Sequence, residues 1–193
     1  MNHLELWKKS KERLKTAQPQ HAYSTWFDPI KSIGLSEEEL VLEVPNQFFF
    51  EWIHSHYKDT IKEEVLTAWD TYIAAFSAGQ TDVVANRIYS TPSFQVGPQG
   101  ATTRLTARNT KVAFDEIHQS LAAKRYSHSE TDTATICVLN PNSALLTAHF
   151  TRYRNDDSVL TKGASAYLFG KFDDDWKIMS IIGNPKAKLV DCD

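Results

Sequence analysis

Apolar positions in the first twenty residues recur at helical spacing: Leu4, Leu6, Trp7, Leu14 and Ala17, with Lys8, Lys9, Lys11 and Glu12 between them. This predicts an amphipathic helix that ends near Pro19. A short second helix is expected around Ala22, Tyr23, Trp26 and Phe27, stopped by Pro29. Leu40, Leu42 and Val44 alternate with Val41 and Glu43 after a turn at residues 36–39, so a strand runs to Pro45, with residues 30–35 as its hairpin partner. Asn46 is a good helix N-cap, and Phe49, Trp52, Ile53, Tyr57, Ile61 and Val65 follow at steps of three and four. The pattern continues through Leu66, Trp69, Tyr72, Ile73 and Phe76 to Gly79, with no Gly or Pro between Asn46 and Ala78. One long helix is expected there.

Beyond Gly79 the character changes. Residues 82–89 predict a short helix and residues 91–100 a turn-rich stretch around Phe94 and Val96. Residues 110–123 form an amphipathic helix with Val112, Phe114, Ile117 and Leu121 on one side. Four strands follow, at residues 129–139, 144–154, 159–171 and 176–183, separated by Asn140-Pro141-Asn142, Asn155-Asp156-Asp157 and Asp173-Asp174-Asp175. These separators are hairpin-turn chemistry. The class is α+β.

Composition adds limits. The 193 residues are 41% hydrophobic and 23% charged, as in an ordinary soluble globular protein. The first 68 residues carry eight basic and eleven acidic side chains and the remainder thirteen of each, so neither half offers a basic field for nucleic acid. Cys137 and Cys192 are far apart, which speaks against a disulfide framework. No apolar run reaches a membrane span and no signal-peptide core is seen, so the expected location is cytoplasmic, with no membrane partner.

An ordered set of landmarks in the first third resembles the N-terminal interaction domain (domain I, KH-like) of DnaA, the bacterial replication initiator. They are Leu6-Trp7, then Tyr23-Ser24-Thr25-Trp26-Phe27-x-Pro29, then Leu40-x-Leu42-x-Val44-Pro45-Asn46-x-Phe48, and finally Trp52-Ile53-x-x-x-Tyr57-x-x-x-Ile61. Read without the family, these aromatics would supply a compact core for a small domain, and that is the expected role of Trp26, Trp52 and Tyr57. The resemblance implies a self-association surface at Trp7 and a helicase contact at Phe48. Phe48 could equally staple the helix begun at Asn46. A further helicase-contact position, usually acidic in the family, is Ala22 here. The Gly-x-x-x-x-Gly-Lys-Ser/Thr phosphate loop and the DNA-binding helix-turn-helix of the initiator are missing, as is a clear third strand for the small domain.

The second part looks like the nuclear transport factor 2-like (SnoaL-like) cone, a curved antiparallel sheet wrapped on helices. Tyr72-Ile73-x-x-Phe76 before Gly79 and Trp176-Lys177-Ile178 before Ile181-Ile182 carry that likeness. Members of the superfamily include isomerases, cyclases and non-catalytic association modules, so the fold alone does not choose a chemistry. Tyr72, Tyr126, His128, His149 and Tyr167 are the pocket candidates, each also able to serve as ordinary packing. His149 shares a strand face with Leu145, Thr147 and Thr151, opposite Ala144, Leu146, Ala148 and Phe150, and the outward placement is the better fit. No carboxylate pair, metal-ligand spacing, Gly-x-Ser-x-Gly elbow or nucleotide fingerprint is present, so neither metal nor cofactor is expected.

The sequence therefore predicts a docking module over residues 1–67 joined to a cone over residues 68–193. The function expected is non-enzymatic protein–protein interaction, with self or a replication protein as partner and a homodimer as the assembly. The alternative is an isomerase- or cyclase-type enzyme, or a binder of a small apolar ligand in the cone pocket.

Overall fold

The computed structural model describes residues 2–36 and 39–183. The chain divides into two compact units, residues 1–59 and 60–193.

In the first unit, helix α1 (His3–Ala17) begins with a capping box: Asn2 Oδ1 accepts the Glu5 N–H at 2.8 Å while Glu5 reaches back to Asn2. Helix α2 (Gln20–Ala22) widens into a π turn over Tyr23–Phe27 before Pro29. Strands β1 (Lys31–Leu35) and β2 (Leu40–Glu43) pair antiparallel, with a bulge between Ser32 and Gly34. Helix α3 (Gln47–Ser77) opens with Asn46 as N-cap, its Oδ1 accepting the Phe49 N–H at 3.1 Å. The buried centre is small, chiefly Tyr23 and Ile30, and the Trp7 indole N–H donates to the Ile30 carbonyl at 3.0 Å. Trp26 lies flat on Trp52, ring centroids 3.7 Å apart, but Tyr57 is exposed and does not join this core.

The second unit is built on the remainder of α3. Ile61, Val65, Trp69, Tyr72 and Phe76 are buried at steps of four, four, three and four, which is one face of a helix. After helix α4 (Thr81–Val83) and a π turn over Val84–Ile88 come strands β3 (Tyr89–Gly97) and β4 (Gly100–Arg104). This corrects the expected turn-rich stretch, because residues 91–100 form a hairpin instead. Helix α5 (Ala107–Ala122) is capped by Thr106, and strands β5 (Tyr126–Asn140), β6 (Ser143–Arg154), β7 (Val159–Phe172) and β8 (Asp175–Gly183) complete the sheet. The strand order is β4-β3-β8-β7-β6-β5. The sheet is curved and antiparallel as expected at every neighbouring pair but one, since β3 runs parallel to β8 and makes it mixed.

The core sits between α3, α5 and the inner face of the sheet, where Trp69, Phe114, Leu146, Phe169 and Ile178 are each at most 3% exposed. Glu64 ties the two central strands of the sheet, next to the β7–β8 turn, to α3: its Oε2 accepts from Lys171 Nζ at 2.9 Å and from the Trp176 indole at 2.6 Å. Those bonds hold its carboxyl below the usual value, the Lys171 contact contributing most. The expectation about cysteines is corrected at one end: Cys137 is disulfide-bonded, and Cys192 lies outside the described residues.

Candidate functional site

In the first unit, the chain reverses at Pro45-Asn46 and the first turn of α3 carries three successive phenylalanines. A helix cannot bury three consecutive side chains on one face. Phe49 turns toward Trp26 (centroids 5.2 Å apart), while Phe48 is 64% exposed and Phe50 51% exposed. Phe48 packs at a tilt to the same tryptophan, ring centroids 5.9 Å apart. Trp7 is half-buried: its N–H is committed to Ile30, and Lys11 Nζ lies 5.8 Å from its ring centroid. Leu4, on the next turn of α1, is exposed as well.

In the second unit, the five pocket candidates are not gathered together. Tyr72 and Tyr167 lie inside the cone beside Tyr89, in a packed cluster with Trp69 and Phe76. Burial, chiefly, pushes all three phenols well above the ordinary tyrosine value, so they act as neutral packing groups with a polar tip. Tyr126 is half-buried at the edge of that cluster, its hydroxyl 2.7 Å from Ser129 Oγ. His128 stacks on Tyr153 and approaches Glu130. His149 takes the face opposite Ala144, Leu146 and Ala148, with Nδ1 3.3 Å from Thr133 Oγ1. Among the described residues no carboxylate is buried, and Arg104 is the one buried charged side chain.

Two clefts open on this unit. One of about 550 Å³ lies between α3, α4 and the β7–β8 turn and includes Thr71, Asn86, Arg87 and Trp176. The other, about 420 Å³, lies between the β3–β4 hairpin and α5, with Arg104, Lys124 and Arg152 in its wall and Ala113, Ile117 and Leu121 as an apolar side. Neither set of residues was expected from sequence to form a cleft. Arg104 lay between the stretch read as turn-rich and the helix expected at 110–123, a segment given no element, but Arg152 had a visible signal. It continues the inward face of Ala144, Leu146, Ala148 and Phe150 by strand alternation, a charge on an apolar stripe.

A curved six-stranded sheet closed over one long and one shorter helix defines a cone of the nuclear transport factor 2 type. The chain belongs to the NTF2-like protein family (DUF6841), whose sequence profile matches residues 63–186. A second profile, that of the DnaA N-terminal domain, matches residues 4–66. There the chain is 39% identical over 57 residues to the chromosomal replication initiator protein DnaA of Flavobacterium psychrophilum, a match covering 30% of this chain and 12% of that protein. The chain thus matches only 12–13% of the length of these curated relatives. Among solved structures, an NTF2-like protein with a cystatin-like fold from Novosphingobium aromaticivorans superposes with a TM-score of 0.55 at 13% identity, covering 72% of this chain and 90% of that one. A putative scytalone dehydratase from the same species gives 0.54 at 10% identity, covering 70% and 99%. At such identities the likeness is one of fold alone.

Proposed function

We propose that the protein is a non-enzymatic adaptor of bacterial DNA replication, in which a DnaA-type N-terminal module docks onto a protein partner and the NTF2-like part pairs two chains. In functional terms the parts are residues 1–67 and 68–193. The observation that carries this reading is the exposure of Phe48, 64% free, at the start of α3 within a segment matched to the DnaA N-terminal domain. An exposed aromatic on the first turn of a helix is the kind of anchor that interfaces bury. Trp7, half-buried and held by its bond to Ile30, is the second contact residue. The partner is DnaA itself or the replicative helicase, and the working location is the cytoplasm. No part of this reading requires direct contact with nucleic acid or a membrane. The alternative of an isomerase- or cyclase-type enzyme has less support: the cone interior holds tyrosines and phenylalanines, with no buried carboxylate among the described residues to act as base.

The experiment is biolayer interferometry of the whole chain against purified DnaA and replicative helicase. Saturable binding to one of them, weakened at least tenfold by Phe48→Ala with the melting temperature unchanged, is the expected result. Absence of binding to both, or equal binding by Phe48→Ala, overturns the reading. The paired state is checked by sedimentation, where a monomer at micromolar concentration removes the dimer from the proposal.

A further inference from the structure

The cleft beside α5 has an unbalanced charge. Gln95, Arg104, Glu116, Ser120, Lys124 and Arg152 give its polar wall three cations and one carboxylate. Among the described residues, no carboxylate comes within 4.0 Å of Arg104, Arg152 or Lys124. Arg104 is only 6% exposed, and its Nη1 is buried without a hydrogen-bond partner, while Nη2 is committed to Gln95 Oε1. The Nε of Arg152 is likewise buried and unpartnered. Removing a guanidinium from water without an anion or a full set of acceptors is costly, and folded proteins rarely leave such groups unsatisfied.

Both guanidiniums are also held in place. Arg104 sits over the Phe114 ring at 5.6 Å, and Arg152 lies 5.4 Å from the Phe76 centroid and 5.1 Å from that of Phe150. Aromatic faces support the flat side of a guanidinium and leave its N–H edge free for an oxyanion. We propose that this cleft binds a small organic oxyanion, a carboxylate or a phosphate ester. Its head pairs with Arg104 and Arg152, and its apolar body lies along Ala113, Ile117 and Leu121. Lys124, exposed at the rim, draws the anion in. The proposal stands apart from the docking role of the first unit. It also replaces a small apolar ligand with a charged one.

The test titrates the whole chain with benzoate, inorganic phosphate and, as neutral control, benzamide. Readouts are the arginine Nε–Hε signals in NMR and the melting temperature. At least one of the two anions should shift the arginine signals and raise the melting temperature, and benzamide should do neither. A response to benzoate alone assigns a carboxylate ligand, and a response to phosphate alone assigns a phosphate ester. Arg152→Met should bind the responding anion at least tenfold more weakly while keeping the wild-type circular dichroism. Arg104→Met should act the same way. If that variant fails to fold, Arg152→Met carries the comparison. No shift with either anion at ~10 mM, an equal response to benzamide, or Arg152→Met binding within twofold of wild type overturns the proposal.

Discussion

Glu64 accepts hydrogen bonds from two neighbouring strands at once, through Lys171 on β7 and Trp176 on β8. Glu64→Gln keeps one acceptor but loses the charge that strengthens both bonds. A loss of about 1 kcal/mol is expected, at the low end for charge-assisted bonds because the side chain is 41% exposed and water screens it. The folded protein holds this carboxyl below its ordinary value of 4.5, so its contribution is intact above that pH and disappears as pH falls through the folded value. Melting curves from about pH 3 to pH 6 should therefore converge for wild type and Glu64→Gln at the acid end and separate at the other. Parallel curves would contradict the assignment. Gly163 is a second residue whose identity is set by one neighbour: a Cβ there would stand 2.6 Å from Phe150 Cζ, in the ring that supports Arg152. Gly163→Ala should cost about 1–3 kcal/mol by urea denaturation, and Phe150→Leu in the same chain should restore part of it.

At the scale of elements, α3 depends on a start signal that is visible in the sequence. Asn46 accepts the Phe49 N–H, so Asn46→Ala should cost about 1 kcal/mol and speed hydrogen exchange in the first turn of α3, where Phe48 sits. Unchanged exchange there would show that the cap is dispensable. The helices and the last four strands were legible because periodicity and turn residues agreed, as at Asn155-Asp156-Asp157 between β6 and β7. The β3–β4 hairpin was not. Pro92, Gly97, Pro98 and Gly100 break its local pattern, and β3 is held in the sheet by its parallel neighbour β8, more than eighty residues away. That loss hid Arg104 and with it the cationic cleft. The pocket candidates were chosen as polar-tipped aromatics and histidines, and the tertiary packing spent Tyr72 and Tyr167 on the core while His149 took the outer face. Face alternation on β6 did contain Arg152, but a single charge on an apolar strand reads as a strand end until its neighbours are known.

At the scale of the whole molecule, the chain joins a segment like the DnaA N-terminal domain to a cone of the NTF2-like family. The charge balance of −3 gives neither part an electrostatic hold on nucleic acid. Two docking modules in one dimer would raise avidity through effective concentration, so a variant that stays monomeric should bind an immobilised partner more weakly than wild type but bind a partner in solution equally well. Surface interferometry compared with calorimetry checks this. The measurement that goes most directly to the docking claim is hydrogen–deuterium exchange of the whole chain alone, with DnaA and with the replicative helicase. The account predicts slowed exchange in α1 and in the first turns of α3, around Trp7 and Phe48. Unchanged exchange throughout, or protection confined to residues 60–183, would contradict it.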